Sequence, residues 1–257
     1  MVRKIMSPRV TASKEEIIAF YDQSAPVYAA VSFWEKKAQE IAITKAGIEE
    51  SYKVLDVGCG PGAVTTKVAE IVGSSGKVYG LDLSEKMLEE AKRKAQSIGV
   101  QDRIEFRKAD IHEKLPFEDD FFDAVISTYV FDLVDTPHIS KVLSNMIRVL
   151  KPGGKLVLVN WTFGDGPHKK YSDVFIELYK EIKVDFGCRP VYLLPYMKEF
   201  NLKNLGREYI SYEMPPQIRQ AFFATVEEGL KRAPKIAKKL ADLQTFVYSS
   251  EIVWGTK

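Results

Sequence analysis

Cysteine is nearly absent from this chain, with Cys59 and Cys188 the only two among 257 residues. Two thiols cannot build a disulfide framework, and their spacing is not that of a metal clamp, so a reducing, cytoplasmic setting is expected. Histidine is also scarce, at three residues, and no cluster of ligand spacing stands out; no metal is expected. No apolar run reaches the ~18 residues of a membrane span, and the charged start (Arg3, Lys4, Arg9, Lys14) lacks the apolar segment of a secretory signal. Charge of either sign is not in excess: net +2, with an isoelectric point near 8.3. Nucleic-acid binders show a clustered basic face and an isoelectric point above ~9, so nucleic acid is disfavoured as a partner. Repeats and low-complexity tracts are missing too. What remains, 46% hydrophobic and 28% charged, can bury a full core, with one domain over 1–257 the default.

Glycine is present where a strand should end. Val54, Leu55 and Val57 form a short apolar run that stops at Gly58, Gly60 and Gly62, after which Thr65, Lys67, Val68, Ile71 and Val72 take up helical spacing. That is strand, glycine turn, helix. Glycines permit backbone conformations that a Cβ forbids, and the helix start offers unpaired N–H groups, so the turn is suited to a polar ligand. Gly58, Gly60 and Ala63 also satisfy the dinucleotide pattern G-x-G-x-x-G/A, so the glycines alone leave the ligand open. Asp56 narrows it: an ionised carboxylate beside the turn repels a pyrophosphate and suits a ligand bearing an ammonium group.

Along the chain, Ser13 and Glu16 form a capping box opening a helix that Pro26 is expected to interrupt, with a second helix from Tyr28 to about Gly47. Strands are predicted over Lys77–Asp82, Arg103–Ala109, Phe121–Ser127 and Lys155–Asn160. Helices are predicted from Glu85 to about Ile98, with Ser84 as its cap, and from Thr136 to Leu150. His112 reads as a surface-loop residue, and Lys151-Pro-Gly-Gly154 as a helix-to-strand reversal. Beyond Asn160 come a glycine-rich aromatic loop, a helix over about 169–184, and a proline-broken stretch over 186–196. Two strands, Tyr209–Glu213 and Glu251–Trp254, pair antiparallel around a helical insertion over about 217–243, whose basic cluster (Lys231, Arg232, Lys235, Lys238, Lys239) allows peripheral contact with an anionic surface. The fold class is α/β, a doubly wound, mostly parallel sheet with helices on both faces.

In order and spacing, Asp56-x-Gly58-x-Gly60-x-Gly62, then Asp82, Asp110 and Arg148-Val-Leu-Lys-Pro-Gly-Gly-Lys-Leu156 resemble the class I S-adenosylmethionine-dependent methyltransferases, small-molecule (ubiquinone/menaquinone-type) branch. The match is good over about 15–160 and weak beyond. The resemblance implies a Rossmann-like, seven-stranded sheet with an antiparallel C-terminal strand, and S-adenosylmethionine as cofactor with S-adenosylhomocysteine as product. It implies that Asp56, Gly58, Gly60, Gly62 and Ser127 hold the methionine end, under cover of Tyr21 and Tyr28. Asp82 would take the ribose hydroxyls, about 20 residues beyond the glycines, with Leu83, Met87, Asp110 and Ile111 around the adenine. No Asn/Asp-Pro-Pro-Tyr/Phe run and no Pro-Cys nucleophile follow the fourth strand, which lowers nucleic-acid and protein substrates in favour of a small acceptor. Relatives with histidines at that place depart from this chain, which has Asp132 and Leu133. Asp132, Tyr129 and His138 are the candidate bases, and Trp161, Tyr192 and Tyr196 the candidate substrate contacts.

The expected organisation is an N-terminal helical cover over 1–47, a cofactor-binding core over 48–160, and substrate-cover insertions with the final hairpin over 161–257. Two other readings stay open on sequence alone: a nicotinamide-dependent oxidoreductase, and a non-catalytic S-adenosylmethionine-binding or RNA-associated protein.

Overall fold

The computed structural model describes residues 12–31, 35–162, 174, 177, 189–213, 230–231, 233–242 and 247–257. Its strands are β1 (Lys53–Val57), β2 (Lys77–Asp82), β3 (Ile104–Lys108), β4 (Phe122–Thr128), β5 (Leu150–Thr162), β6 (Lys203–Glu213) and β7 (Val247–Thr256). The main helices are α1 (Lys14–Val31), α2 (Lys36–Ala46), α3 (Ala63–Val72), α4 (Glu85–Ser97) and α5 (Ile139–Val149). One seven-stranded sheet has the order β3-β2-β1-β4-β5-β7-β6. β1 to β5 pair in parallel, and β7 runs antiparallel to both β5 and β6. The expected α/β architecture, its seven strands and its antiparallel C-terminal strand are all present.

Alternation along β1 sets up the two cores. Successive strand side chains point to opposite faces, so Leu55 and Val57 pack in the cluster with Ile139, Leu143 and Met146 of α5. Val54 joins Val64 and Val68 of α3 and Ala38 and Ala42 of α2 on the other face. Asp56, in phase with Val54, is therefore carried to the α3 side. Strand order reverses between β1 and β4, and in open α/β sheets the crevice for a ligand lies at the C-terminal ends of the strands at such a switch point.

Several local expectations are corrected. α1 runs through Pro26 rather than ending there. A proline inside a helix forfeits one hydrogen bond and strains the turn before it. Here it faces solvent while neighbouring Ala25 is buried and Asp22 is bonded to Ser84 Oγ at 2.5 Å. Lys151–Gly154 is absorbed into β5 instead of forming a separate reversal. It is drawn in by Lys257, whose carbonyl accepts from Gly153 N at 2.8 Å and whose N–H donates to Gly154 O at 3.0 Å. β6 and β7 are longer than their apolar patterns suggested, and Thr136–His138 forms a 3₁₀ turn ahead of α5. The capping box is formed: Ser13 N donates to Glu16 Oε2 at 2.7 Å and Glu16 N to Ser13 Oγ at 3.2 Å. Ser84 caps α4 by accepting from Met87 N. The helix expected over 169–184 apart from residues 174 and 177, residues 186–188 of the proline-broken stretch, and most of the 217–243 insertion lie outside the described residues. Of the insertion, Pro234–Ala241 is a helix with Ile236 and Leu240 buried.

Candidate active site

The glycine turn is laced to the end of β2. Gly58 N and Cys59 N donate to Leu81 O at 2.7 and 2.8 Å, and Gly60 N donates to Asp82 Oδ2 at 2.8 Å. Asp82 Oδ1 accepts from Ser84 N at 2.9 Å, so two main-chain donors fix this carboxylate. Gly58, Gly60 and Gly62 are all at positive φ, where an L side chain is strained. Their surroundings differ. A Cβ on Gly58 would lie 2.1 Å from Val130 Cγ2, and one on Gly62 3.0 Å from Ala91 Cβ, whereas one on Gly60 would meet nothing within 4 Å. Gly58 and Gly62 are demanded by packing, while Gly60 opens on free space.

That space is a cavity of about 370 Å³ across the C-terminal ends of the strands. Sheet order sets out its lining: Asp110 and Ile111 after β3, Asp82 and Leu83 after β2, Gly58 and Gly60 after β1, Tyr129 and Val130 after β4. α1 roofs it with Ile17, Ile18, Tyr21 and Tyr28, the last two rings 5.8 Å apart, and α2 contributes Gln39 next to Glu35. The roof is pinned by Lys14 Nζ to Asp110 Oδ2 at 2.6 Å and by Ser84 Oγ to Asp22 Oδ1.

Of the residues singled out from sequence, the fold brings Tyr21, Tyr28, Gly58, Gly60, Asp82, Leu83, Met87, Asp110, Ile111 and Tyr129 to the cavity wall. Others stand behind it. Gly62 begins α3. Ser127 donates its hydroxyl to Val57 O at 2.9 Å within the sheet. Asp56 sits beneath the turn, accepting from Thr65 Oγ1 at 2.5 Å, with Oδ1 buried and without a hydrogen-bond partner. Asp132 is buried behind the loop after β4, beside Arg189. His138 does not line the cavity but touches two residues that do: its ring meets that of His112 edge to face at 5.6 Å, and its N–H donates to Asp135 O at 2.9 Å. Trp161, Tyr192 and Tyr196 do not line the cavity; Trp161 O accepts from Val191 N at 3.0 Å, and Tyr196 packs on the α5-side core. Apolar area drew Tyr196 to that core, an outcome its sequence position could not exclude.

Burial governs the electrostatics. It pushes the Asp56 carboxyl up to about 7 and raises Asp82, both against hydrogen bonds that pull the other way. Asp132 is raised by burial to about 7, Arg189 opposing. Glu35 is raised by burial, then by Asp132, to about 8. Asp110 moves the other way: burial is outweighed by Lys14 and by the His112 main chain and ring, and its carboxyl falls to about 2. Tyr129 sits at φ 58, a strained conformation for a non-glycine residue. Its N–H donates to Val159 O at 2.8 Å, its hydroxyl meets Ser250 Oγ at 2.8 Å, and burial holds it protonated.

Sequence reasoning missed Glu35, Gln39, Lys14 and the inward position of His112. Glu35 had a signal: it precedes Ala38, Ala42 and Ala46, the buried stripe of α2, in helical phase. His112 had none, since its place follows from the bond of its N–H to Asp110 Oδ1 at 2.9 Å. Among the described residues no group of three or more His, Cys, Asp and Glu could hold a metal, and no helix is long and apolar enough to cross a membrane.

A glycine turn tied to an acid at the end of β2, a cavity at the β1/β4 switch point and this strand order define the class I methyltransferase architecture. Residues 54–154 match the family described as a methyltransferase domain. The chain is similar to the 2-phytyl-1,4-naphtoquinone methyltransferase of Trichormus variabilis, 37% identical over 151 residues, covering 57% of this chain and 65% of the relative. It is also similar to the ubiquinone/menaquinone biosynthesis C-methyltransferase UbiE of Pseudomonas fluorescens, 38% identical over 124 residues, 48% of this chain and 47% of the relative. The matches thus span between about half and just under two thirds of these relatives' length. Among solved structures, the YcgJ protein from Bacillus subtilis superposes with TM-score 0.63 at 22% identity over 86% of this chain and 98% of its own. Phosphoethanolamine N-methyltransferase 2 of Haemonchus contortus, in complex with S-adenosylhomocysteine, reaches 0.66 at 18% identity over 96% and 60%. The [4+2]-cyclase SpnF reaches 0.65 at 18% over 98% and 99%, so the fold by itself does not fix the reaction.

Proposed function

We propose that this protein transfers a methyl group from S-adenosylmethionine to a small acceptor, a ring carbon of a reduced naphthoquinone or benzoquinone carrying a hydrocarbon tail. The observation that carries the reading is the Asp82 carboxylate, fixed by Gly60 and Ser84 N–H groups at the edge of a cavity into which Gly60 presents bare main chain. The methyltransferase-domain match and the names of the relatives supply the acceptor class.

The residues fit this cofactor. Asp82 has lone pairs left for two ribose hydroxyls, and Leu83, Met87 and Ile111 form an apolar slot for adenine, with Asp110 at its amino edge. Asp56 lies beneath the glycine turn and not on the cavity wall, its Oδ1 buried without a hydrogen-bond partner, so it would act on a bound ammonium through the turn and not by contact. Bound there, S-adenosylmethionine supplies an electrophilic methyl on a sulfonium. The chain's work is to hold the acceptor in line with that bond and to keep water out beneath α1. The 370 Å³ volume lies at the lower end of small-ligand cavities, about 300–1,000 Å³, so an acceptor would seat its ring and direct a long tail outward. The division into a helical cover over 1–47, a cofactor core over 48–160 and a substrate-side portion over 161–257 follows the same reading.

A nicotinamide dinucleotide would find its ribose partner in Asp82 but is disfavoured by Asp56, which lies beneath the turn on which its pyrophosphate would sit. The RNA-associated reading loses one of its cations: Lys239 is paired with Glu177 at 2.5 Å. Calorimetry with S-adenosylhomocysteine and NADH, followed by transfer of labelled methyl to a reduced short-chain 2-alkyl-1,4-naphthoquinone, tests the proposal. Binding of NADH in place of S-adenosylhomocysteine would overturn it.

A further inference from the structure

Four carboxylates line the cavity, and three are already engaged. Asp82 accepts from Gly60 and Ser84, Asp110 holds Lys14 and His112, and Asp135 faces Arg189. The fourth, Glu35, is different. It is 7% exposed, and its polar contacts are long and uncharged: Tyr28 Oη donates to Oε1 at 3.4 Å and Gln39 Nε2 to Oε2 at 3.3 Å. No cation forms an ion pair with it among the described residues. Its neighbour across the cavity wall is the buried Asp132, a second carboxylate, whose Oδ1 has no hydrogen-bond partner. Two buried acids that feel each other's charge, Glu35 having no cation paired to it, do not both ionise cheaply, and such a pair changes its charge by moving a proton.

Resting on the methyl-transfer reading above, we propose that Glu35 is the base of the reaction, taking the hydroxyl proton of the acceptor as its ring carbon attacks the methyl group. Electrons and atoms balance. The O–H bond breaks and its proton goes to Glu35. The ring carbon forms a bond to the methyl, and the S–CH₃ bond breaks with its electron pair staying on sulfur as a neutral thioether. The ring then loses its C–H proton to solvent as the oxygen regains one from Glu35, restoring the aromatic ring. Glu35 fits this task better than the bases expected from sequence: Asp132 and His138 do not line the cavity, and the Tyr129 hydroxyl is bonded to Ser250. The assignment narrows the acceptor to one carrying a removable proton near its nucleophilic atom. Such an acceptor would sit at the Tyr28, Gln39 and Tyr129 end of the cavity, opposite the adenine slot.

The groups facing Glu35 are Tyr28 from α1, Gln39 from α2, and Tyr129 and Asp132 from the loop after β4. A general base contributes about 10²–10⁴ in rate. The test compares wild type, Glu35→Gln and Glu35→Asp for S-adenosylhomocysteine binding by calorimetry, and for methyl transfer to a reduced 2-methyl- or 2-prenyl-1,4-naphthoquinone across pH about 6–9. Expected are unchanged S-adenosylhomocysteine affinity in E35Q, kcat lowered at least ~100-fold, loss of the acid limb of the kcat–pH profile, and partial recovery in E35D. A kcat for E35Q within about threefold of wild type, with the same acid limb, would overturn the assignment of Glu35 alone. A folded wild type that binds S-adenosylhomocysteine yet methylates neither quinol would overturn the acceptor class and this assignment with it. Failure of wild type to bind S-adenosylhomocysteine would remove the methyl-transfer reading itself.

Discussion

Asp82 Oδ2 lies 2.8 Å from Gly60 N, a bond that joins the end of β2 to the turn after β1 and aims a carboxylate along the cavity edge. Replacing Asp82 by Asn keeps one acceptor oxygen but removes the charge that ribose hydroxyls would meet. S-adenosylhomocysteine affinity should fall about 10–100-fold, roughly 1.4–3 kcal/mol, as a charged hydrogen bond is lost. Calorimetry on a sample with native circular dichroism checks it. Wild-type affinity in D82N would detach this acid from the ligand.

Gly58 and Gly60 separate folding from binding. In Gly58→Ala the new methyl would strike Val130, and something must shift. Overpacking of this kind costs about 1–3 kcal/mol, added to the positive-φ strain of about 1–2. In Gly60→Ala only the φ strain applies, about 1–2 kcal/mol, because the methyl projects into the cavity. Denaturant melts should rank G58A well below G60A, while S-adenosylhomocysteine binding fails by more than about tenfold in both. A G60A protein that binds normally would show that the ligand does not approach this turn.

The Lys14–Asp110 pair holds the roof. Asp110 is depressed to about 2, so its contribution is present above the ordinary carboxylate range and is lost as pH falls from about 4 toward 2. Lys14 is half-exposed, and added salt should weaken the pair. Lys14→Gln is expected to speed hydrogen exchange in 14–31 and to weaken S-adenosylhomocysteine a few-fold, an effect that shrinks at high salt. Mass-spectrometric exchange in the two salt conditions is the check; equal protection in both proteins would leave the roof held by the Ser84–Asp22 bond and apolar contacts.

Buried acids give the protein an acid-shifted stability optimum. The carboxyls of Glu35, Asp56 and Asp132 sit near 8, 7 and 7 in the fold, against ordinary values of 4.5, 3.8 and 3.8. Raised acids hold protons the unfolded chain has released, so their cost is absent below about pH 4, grows as pH rises to about 8, and is constant above. The ligand-free melting temperature should be higher near pH 5.5 than near pH 8.5 by several degrees, roughly. At the upper pH, Glu35→Gln should be more stable than wild type by on the order of 1–3 kcal/mol, since it removes a buried carboxylate, and should melt at a higher temperature. A melting temperature that rises steadily from pH 5.5 to 8.5 would contradict the pattern.

Sequence and structure agree where backbone chemistry leaves little choice. Three glycines between an apolar run and a helical period can hardly be anything but a turn, and Asp82 follows at the distance a βα unit dictates. Asp56 was legible as an acid near the turn, yet its phase with Val54 takes it under the turn to Thr65, where burial rather than the ligand sets its charge. Glu35 was obscured by its neighbours: beside Lys36 and Lys37 it looks like a solvated helix start, and only its phase with Ala38 and Ala42 reveals the buried face. Arg189 could not be assigned at all. Its burial beside Asp132 and Asp135, with a guanidinium bond to Val134 O, depends on a chain return that no local pattern encodes.

Tyr129 is stitched at both ends, its amide to β5 and its hydroxyl to a serine of β7. That side of the chamber is therefore a masonry wall, three strands thick in its bonding, with no slack to give. The opposite side is a helix clasped at two polar points. Among the described residues the clasped side is the one that can yield, and a visitor entering there would first have to unfasten it.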